Sequence, residues 1–471
     1  MRIHFTGVAG AGMSAAALMM RDAGHQVSGS DEDVFPPMST YVEALGFPFA
    51  RAFDPANLPP DLDLLVMGSS ARLGGEANPE AQAARRRGVR VTSFSELLGE
   101  AVAGREPIVV AGSVGKSTCT ALMAHVLRRS GRDPGWMIGA ISPSLPATGH
   151  WGAAPEMVLE GDEYVVGLGD ARSKFELYRP AHVLLTSVAH DHVNAFPTLG
   201  AYQAAFRALL GLVPDDGVAV LRDDPAVRAV AGDCRARVVW YGDAPCDGWW
   251  SHGVAYGETS RFTLMGPGGR KIPLSTSLLG AHNIDNIVGV CAFLLERKLA
   301  AEYALAEAVA SFCGVRRRLD RLTHASQVPV IEGFGSSYEK ARAAIEAIGL
   351  HYPRRPLVVV FEPHALTWRS RETLPWYDTV FQGAARVLML PPASHGAEHH
   401  DQATHEEIIA RAAATGLPVT PVANASDAMA QLSGLAGDEV VLLLSSGPVM
   451  GLADRLPALF EDRYARPRAV A

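Results

Sequence analysis

The chain has 471 residues, of which 48% are apolar and 20% are charged, and its formal net charge is −8. These values are typical of a globular protein of about two to four domains. They exclude a basic nucleic-acid-binding protein, because no block of lysine or arginine stands out. No apolar run reaches transmembrane length, so no membrane segment is expected.

The N-terminus and the cysteines indicate the compartment. The start of the chain, MRIHFTGVAGAGMS, lacks a cationic stretch followed by a long apolar one, so a signal peptide is not expected. The cysteines have no C-x-x-C spacing, which argues against structural zinc and for a reducing compartment, by default the cytoplasm. They are Cys119, Cys234, Cys246, Cys291 and Cys313.

The first part of the chain alternates strands and helices around a glycine-rich turn. Residues 2–6 predict a strand, a helix of small apolar residues continues to Ala23, and residues 26–30 predict a second strand that ends at Asp31. The turn GVAGAG has the spacing G-x-x-G-x-G, not the G-x-G-x-x-G of nicotinamide dinucleotide sites. It predicts either another phosphate-containing ligand or a packing turn without a ligand. Further strands are expected at 62–68 and 89–92.

A phosphate-binding signature follows at VVAGSVGKSTCT, residues 109–120. The apolar run at 107–111 predicts a buried strand, a glycine turn comes next, and residues 119–129 have the pattern of a helix. Backbone N–H groups at such a turn, together with the positive end of the helix, bind phosphate. Gly115 carries no Cβ that would prevent a close approach of the ligand.

The lysine and hydroxyl groups of this turn predict nucleotide chemistry. Lys116 would reach the β- and γ-phosphates, and the hydroxyl of Ser117 or Thr118 would hold Mg²⁺. The match to G-x-x-x-x-G-K-[ST] is partial, because the first glycine of that pattern falls at Val110 and Gly112 stands closer to the lysine. A glycine-rich turn with a surface lysine is the alternative interpretation.

Acidic and histidine side chains follow two further predicted strands. Residues 156–160 lead into EGDE (160–163), and residues 182–188 lead into HDH (190–192). Ligands of open α/β sheets bind at the carboxyl ends of the strands, so these groups are expected to meet near the phosphate turn. They predict metal ions that bridge the nucleotide and a second substrate, with Mg²⁺ or Mn²⁺ favoured over zinc. Taken singly, each segment is equally compatible with a solvated loop.

The remaining pattern predicts two more α/β domains. Helices are expected from Gly280 to about Leu295 and over 301–312, and the three arginines at 316–318 are compatible with a solvated hinge. Strands are expected at 218–221, 236–241, 261–274, 328–332, 356–361, 386–390 and 439–445. The predicted architecture is three α/β domains in series, at 1–105, 106–315 and 316–471. The first and third are Rossmann-like, and the central one is a P-loop ATPase-like domain with a mostly parallel sheet.

Motifs along the whole chain resemble those of the Mur ligase family, the ATP-dependent amide-forming enzymes of bacterial cell-wall synthesis. GVAGAGMSAAA, VSGSD, GSSA and NPE resemble its UDP-binding domain. GSVGKST resembles its phosphate loop GTHGKTT, GAHNIDN its G-x-H-N-x-x-N motif, and GVRRRLD its hinge. EGDEYVVGLGDARSKFELYRP and HDHVNAF are similar to segments of a subfamily that joins UDP-N-acetylmuramate to the peptide L-alanyl-γ-D-glutamyl-meso-diaminopimelate in peptidoglycan recycling.

The resemblance implies a reaction and a set of site residues. ATP phosphorylates the lactyl carboxylate of UDP-N-acetylmuramate, and an amine attacks the acyl-phosphate, with release of ADP and phosphate. The implied catalytic residues are Lys116, Glu160 and His192, and the implied Mg²⁺ ligands are Ser117, Glu160 and His192. The implied ATP-binding residues are Gly112, Gly115, Lys116, Ser117, Thr118, Asn283, Asn286, Arg317, Arg318 and Glu332. The implied UDP-sugar-binding residues are Gly10, Gly12, Met13, Ser14, Ser30, Asp31, Ser69 and Ser70, and the amine substrate is assigned to His364, Arg172 and Lys174.

Several positions depart from the family pattern. The histidine before Gly-Lys is Val114 here, and the third-domain motif D-D-[FY]-[AG]-H-H-P is replaced by EGFGSSY at 332–338. The arginine of an E-P-R-S motif is His364, so a bidentate carboxylate clamp is lost that imidazole does not replace at neutral pH. Two aspartates become Val165 and Asn194. The fold and the UDP-sugar half are expected to be retained, whereas the identity of the amine stays open.

Three functional hypotheses follow. The first is a ligase for the recycling peptide. The second is the same chemistry with L-alanine or another amino acid as the amine. The third is a nucleotide-binding relative that no longer ligates, which the missing histidine pair favours and the intact GKS, Glu160 and His192 disfavour. A monomer or homodimer is expected, with ATP, UDP-N-acetylmuramate and an amino acid or short peptide as partners, and with neither nucleic acid nor a membrane.

Overall fold

The computed structural model describes residues 1–32, 38–44, 46–47, 49–68, 77–167, 169–192, 194–393 and 401–466. Contacts within the chain divide it into two compact units. The first consists of Met1–Ala255, Arg261–Ser277 and His282–Val315, and the second of Tyr256–Ser260, Leu278–Ala281 and Arg316–Ala471. The phosphate-loop sequence therefore belongs to the first unit, and the EGFGSSY segment belongs to the second.

The N-terminal part of the first unit is a parallel sheet with helices. Its elements are β1 (Arg2–Thr6), α1 (Ala11–Asp22), β2 (Gln26–Ser30), α2 (Met38–Ala44), β3 (Leu64–Met67), α3 (Pro79–Arg86), β4 (Arg90–Ser93) and α4 (Phe94–Ala101). The strands lie in the order β2-β1-β3-β4. Two helix starts are encoded locally: Asn78 caps α3 ahead of Pro79, and Ser93 forms a capping box with Glu96 at the start of α4.

The rest of the first unit is built around a larger sheet. The strands of this part of the chain are β5 (Glu106–Ala111), β6 (Gly135–Met137), β7 (Gly149–His150), β8 (Glu156–Glu160), β9 (Val165–Gly167), β10 (Asp170–Ser173), β11 (His182–Leu185), β12 (Val218–Arg222), β13 (Arg237–Gly242), β14 (Gly248–Ala255), β15 (Ser260–Gly266) and β16 (Arg270–Thr276). Its helices are α5 (Lys116–Arg129), α6 (Leu199–Gly211), α7 (Pro225–Arg228), α8 (Ala281–Glu296) and α9 (Glu302–Ser311). β9 and β10 pair with each other as a separate hairpin.

The order of the large sheet is β16-β15-β14-β13-β12-β11-β5-β8-β6-β7. β5 lies between β11 and β8 and is parallel to both. Residues 108–111 of β5 are fully buried, as expected for a strand covered on both faces, and they form a rigid base for the loop that follows. The antiparallel pairs β14 with β15 and β6 with β7 lie towards the two ends.

The second unit contains a further α/β sheet. Its elements are β17 (Arg318–Arg321), β18 (Val330–Phe334), α10 (Tyr338–His351), β19 (Leu357–Phe361), α11 (Leu366–Arg369), β20 (Arg386–Met389), α12 (His405–Ala413), β21 (Val419–Pro421), α13 (Ala425–Ser433), β22 (Val440–Ser445) and α14 (Leu452–Arg463). The strands lie in the order β17-β18-β22-β19-β20-β21, and all pairs except β17 with β18 are parallel. Buried apolar side chains cover both faces of this sheet.

The predicted α/β class with mostly parallel sheets is confirmed. The predicted strand region 261–274 is divided by a turn at Pro267–Gly269, where two glycines adopt positive φ and allow the chain to reverse. β14 was not predicted, because its second half is mostly exposed and lacks a regular apolar alternation. Among the described residues, no helix combines the length and the apolar character needed to cross a bilayer.

Candidate active site

The phosphate loop of residues 112–115 connects the buried β5 to α5. Gly112 and Gly115 have φ angles of +135° and +88°, a region that residues with a side chain rarely adopt. A Cβ on Gly112 would lie 2.2 Å from Thr186 Oγ1, and one on Gly115 would lie 2.5 Å from Asn286 Oδ1. Both glycines are therefore required for conformation and for space. The loop delivers the N-terminus of the 14-residue α5, a position where backbone N–H groups bind anions.

Lys116 folds back over this loop. Its Nζ donates to Gly112 O at 2.5 Å and lies 2.9 Å from Glu163 Oε2. The Glu163 side chain is fully buried, and that of Lys116 is 16% exposed. A buried carboxylate requires a cation or several donors beside it, so Glu163 holds the ammonium group at the loop.

Ser117 is the loop hydroxyl that faces the acidic segment. Its Oγ donates to Glu160 Oε1 at 2.6 Å, and Gly139 N donates to Glu160 Oε2 at 2.7 Å. The contact follows from the sheet, because β5 and β8 pair in parallel with Val110 opposite Glu160. Thr118, the alternative hydroxyl, is a buried residue of α5.

His192 lies next to the Glu163 carboxylate that also contacts Lys116. Its Nε2 is 3.5 Å from Glu163 Oε1, and its ring meets the edge of Tyr164 with centroids 5.3 Å apart. The hydrogen bond to Glu163 raises the pKa of His192, against the opposing effect of partial burial. His192 has a φ of +53°, which is uncommon for a residue with a side chain and indicates that the surrounding loop fixes its backbone.

A cavity of about 260 Å³ brings the predicted residues of two substrates together. Its lining consists of Gly12, Phe94, Lys116, Met137, Gly139, Glu160, Asp162, Tyr178 and His192. The N-terminal glycine loop and the phosphate loop thus open into one space within the first unit. A larger hollow of about 590 Å³, between the end of α5 and the start of α9, contains none of the predicted site residues.

The N-terminal part of α8 lies beside the phosphate loop. Asn286 Nδ2 donates to Asn283 Oδ1 at 3.0 Å, and both residues are buried. Cys119 of α5 contacts the carbonyl of Asn286, and the Asn286 amide oxygen lies against Gly115. The structure therefore brings the predicted Asn283 and Asn286 to the loop, where they stay candidates for nucleotide contacts.

Ser30 and Asp31 shape the N-terminal glycine loop from inside the protein. Asp31 Oδ2 accepts from Ala9 N at 2.8 Å, and Ser30 O accepts from Gly7 N at 2.8 Å. Both side chains are fully buried, so a role in UDP-sugar binding would act through the loop that they hold. Of the other predicted residues, Gly10 and Gly12 are partly exposed, Met13 and Ser14 are buried in α1, and Ser69 and Ser70 lie outside the described residues.

Glu80 is a buried carboxylate at the centre of a hydrogen-bond network beneath the N-terminal glycine loop. Its carboxylate accepts from Thr6 Oγ1 at 2.7 Å, Ser30 Oγ at 2.6 Å and Asn57 Nδ2 at 2.8 Å, and it lies 3.5 Å from His4 Nε2. Burial alone would raise the pKa of Glu80, but these hydrogen bonds lower it overall. A charged, fully bonded Glu80 therefore fixes the ends of β1 and β2 from which the glycine loop departs.

Arg172 and Lys174, predicted for the amine, lie in the first unit. Arg172 is exposed and pairs with Asp170 at 2.6 Å. Lys174 is buried, and its Nζ lies 2.6 Å from Asp162 Oδ2 and 5.5 Å from the ring centre of Phe94. Burial opposes ionisation of Asp162, but Lys174 lowers its pKa overall. Lys174 thus supports a carboxylate of the cavity wall.

The remaining predicted residues belong to the second unit. Arg317 Nε donates to Glu332 Oε1 at 3.2 Å and its Nη2 donates to Gly447 O at 2.6 Å, whereas Arg318 is exposed. Burial raises the pKa of Glu332, although Arg317 opposes this effect. His364 Nδ1 lies 3.4 Å from Ser446 Oγ. These groups gather at the carboxyl ends of β18, β19 and β22, the edge at which α/β sheets bind ligands.

Sequence reasoning missed several residues around the cavity. Asp162 and Glu163 were recognised as acids at a strand end but were given no role, and Phe94, Tyr178 and Tyr202 were not singled out. A signal existed for Glu163, because it lies three residues after the end of a buried strand, at the edge of the sheet where α/β proteins bind ligands. The aromatic residues gave no such signal, since they come from distant parts of the chain.

Two oxygen ligands at the phosphate loop fit a divalent cation. No cluster of three or more His, Cys, Asp or Glu side chains within the described ranges could hold a metal by itself. Ser117 Oγ and Glu160 Oε1 are hard oxygen donors only 2.6 Å apart at the phosphate loop. They fit Mg²⁺ of the kind that completes its octahedral shell with nucleotide phosphate oxygens and water.

A phosphate loop, an acidic strand end and a shared cavity define a nucleotide-dependent α/β enzyme. Residues 110–294 match the Mur ligase middle domain, and residues 2–106 match the domain described as Mur ligase family, catalytic domain. The chain therefore belongs to the Mur ligase family, and it is an ATP-dependent ligase that forms amide bonds.

Relatives of two specificities are similar to this chain. UDP-N-acetylmuramate–L-alanyl-γ-D-glutamyl-meso-2,6-diaminoheptandioate ligase of Escherichia coli is 30% identical over 398 residues, which cover 83% of this chain and 85% of the relative. UDP-N-acetylmuramate–L-alanine ligase of a Roseiflexus species is 32% identical over 471 residues, which cover 95% and 96%. The crystal structure of UDP-N-acetylmuramate-alanine ligase from Thermotoga maritima matches the fold with a TM-score of 0.80 at 22% identity, covering 98% of this chain and 99% of that one.

Proposed function

We propose that this ligase joins the lactyl carboxylate of UDP-N-acetylmuramate to the amine of L-alanyl-γ-D-glutamyl-meso-diaminopimelate in peptidoglycan recycling in the cytoplasm. The observation that carries the acid-activating half of the proposal is the cavity shared by Gly12, Lys116, Glu160 and His192. The lactyl carboxylate of a sugar nucleotide held by the N-terminal loop would meet the triphosphate of ATP held by the phosphate loop there. Bringing these two anions together is the main difficulty of the reaction.

The first step transfers the γ-phosphoryl group. A carboxylate oxygen attacks the γ-phosphorus, the bond from that phosphorus to the bridging oxygen breaks, and ADP leaves. Lys116 and the N-terminus of α5 neutralise charge on the phosphates, and they are already held in place before the reaction by Glu163 and the sheet. In the second step the amine nitrogen attacks the acyl carbon, loses a proton, and phosphate departs.

Mg²⁺ fits this site as the cofactor, with Mn²⁺ as a substitute. Ser117 and Glu160 would hold it, and His192 is a further candidate ligand in the same cavity. When bound, the ion neutralises phosphate charge. Phe94, Met137 and Tyr178 form the apolar part of the cavity lining, beside the polar groups of the phosphate loop and the acidic strand end.

L-alanine or another amino acid is the second candidate for the amine. A specific observation favours it: His364 occupies the position where the peptide-specific motif has arginine, and its ring lies against Ser446 and Gly447. An imidazole there does not form the bidentate contact with a peptide carboxylate that arginine forms. The peptide is favoured instead by the RSKF segment at 172–175, which resembles the peptide-specific subfamily.

The test is phosphate release from ATP with UDP-N-acetylmuramate present, across the tripeptide and a panel of L-amino acids. Release with the tripeptide alone supports the first proposal. Release with L-alanine or another single amino acid, and not with the tripeptide, supports the second. His364→Arg provides the matched variant, and it should shift the preference towards the carboxylate-bearing peptide. Release that does not depend on UDP-N-acetylmuramate would contradict both proposals.

A further inference from the structure

The Tyr202 hydroxyl connects two functional segments of the first unit. Tyr202 lies in α6 and is fully buried. Its hydroxyl donates to Glu163 Oε1 at 3.2 Å and lies 2.9 Å from Ser113 Oγ. Ser113 belongs to the phosphate loop, and Glu163 is the carboxylate that pairs with Lys116. One buried hydroxyl therefore contacts both the loop and the partner of its lysine.

The protons of this network can be assigned to donors and acceptors. Ser113 has one hydroxyl proton, and its Oγ lies 2.7 Å from Ala189 O and accepts from Ala189 N at 2.8 Å. Burial raises the pKa of Tyr202, so its hydroxyl keeps the proton. Ser113 therefore donates to Ala189 O, and Tyr202 shares its proton between the two acceptors Glu163 Oε1 and Ser113 Oγ.

We propose that Tyr202 is a positioning residue for the γ-phosphate of ATP, acting on Lys116 through Glu163. Glu163 Oε1 accepts from Lys116 at 3.2 Å as well as from Tyr202, so the orientation that the tyrosine imposes on the carboxylate also sets the position of Nζ. A lysine ammonium on its flexible stem contacts a phosphate productively from only part of its range. This role concerns the ATP half of the reaction and does not depend on which acid or amine is used.

The ring of Tyr202 has a separate packing role. It lies edge-on to Phe196 and Phe206, with centroids 5.3 Å and 5.1 Å apart, in the buried cluster of the first unit. Tyr202→Phe keeps this packing and removes only the hydroxyl. A change in nucleotide selectivity in that variant would therefore report on the hydrogen-bond network and not on the core.

The experiment compares Tyr202→Phe with Tyr464→Phe, which loses a hydroxyl in the second unit. The Tyr464 side chain is also buried, and its hydroxyl donates to Leu432 O at 3.0 Å. Affinities for ADP and for β,γ-imido-ATP are measured by calorimetry with Mg²⁺. For Tyr202→Phe we expect about tenfold weaker binding of β,γ-imido-ATP, since a hydrogen bond to a charged group is lost, and a much smaller change for ADP. Tyr464→Phe is expected to bind both nucleotides as the wild type does.

Two further variants keep the proposal testable if Tyr202→Phe folds poorly. Glu163→Gln should likewise weaken the binding of β,γ-imido-ATP much more than the binding of ADP. The double variant of Tyr202→Phe with Ser113→Ala should lose no more than about the larger single loss, because residues of one network are not additive. Equal weakening of ADP and β,γ-imido-ATP, wild-type binding of both, or single losses that multiply in the double variant would overturn the proposal.

Discussion

Ser117 Oγ donates to Glu160 Oε1 across 2.6 Å, and this contact joins the first turn of α5 to the end of β8. The two residues are 43 positions apart, but α5 follows directly on the loop after β5, and β5 is the parallel neighbour of β8 with Val110 opposite Glu160. The Ser117 hydroxyl and the Glu160 carboxylate therefore lie next to each other at the phosphate loop, as two oxygen atoms that could bind one cation. The pair is the place where we propose that Mg²⁺ binds.

Glu160→Gln is expected to raise the Mg²⁺ concentration needed for half-maximal phosphate release by about tenfold or more, because the amide keeps the shape but loses the charge. Turnover is measured across a Mg²⁺ titration at saturating ATP. Glu302→Gln, an exposed acid on α9, is the control and should leave the Mg²⁺ dependence unchanged. An unchanged Mg²⁺ requirement in Glu160→Gln would remove Glu160 from the metal site.

Lys116→Ala is expected to lower turnover by about a hundredfold to a thousandfold, because a preorganised cation at the phosphates is lost. Binding of UDP-N-acetylmuramate, measured by calorimetry, should stay close to that of the wild type. The variant also leaves the buried Glu163 without its cation, which costs about 3–5 kcal/mol of stability.

The stability and activity effects of Lys116 can be separated. Adding Glu163→Gln to Lys116→Ala removes the buried unpaired charge, so part of the lost stability should return while turnover stays low. Lys271→Ala, an exposed lysine on β16, serves as the control for loss of a positive charge. Near-normal turnover in Lys116→Ala would show that this loop does not bind the ATP phosphates.

Part of the site could be predicted from sequence because its geometry is local or follows from the sheet. The β5–loop–α5 unit is encoded in one continuous segment, and Glu160 was expected near it because parallel strands end at the same edge. The two predicted glycines, Gly112 and Gly115, have the positive φ angles that a phosphate loop requires.

Other features depend on contacts between distant segments and could not be predicted. The Ser30 hydroxyl is directed to Glu80, 50 residues away, and not to solvent. Lys174 faces Asp162 and Phe94, two contacts that the sequence did not predict, and its assignment to the amine substrate stays a prediction. Side-chain direction at such positions is set by packing, which local patterns do not determine.

Asp31→Ala is expected to weaken UDP-N-acetylmuramate binding, because Ala9 N loses its acceptor and the buried donor is left unsatisfied at a cost of about 1–3 kcal/mol. Affinity for β,γ-imido-ATP should not change, since the phosphate loop is formed by other elements. Both affinities are measured by calorimetry. Asp63→Ala removes an exposed carboxylate that accepts from Arg2 N, and it should affect neither ligand. Equal weakening of both ligands by Asp31→Ala would point to general unfolding and contradict a local role.

His351 is expected to make the stability of the second unit depend on pH. Its Nδ1 donates to Gly257 O at 2.7 Å and its Nε2 accepts from Gly280 N at 2.8 Å. The bond from Gly280 N requires the neutral ring, because a protonated Nε2 has no lone pair to accept it. Burial lowers the pKa of His351 in the folded chain below its ordinary value of 6.5, and as pH falls the unfolded chain therefore takes up the proton first. The stabilisation is fully present above pH 6.5 and is lost progressively as the pH falls below it.

We expect His351→Gln to show a smaller drop in unfolding temperature between pH 7.5 and 5.5 than the wild type, and the exposed His252→Gln to match the wild type. Identical pH dependence in His351→Gln and wild type would exclude this role.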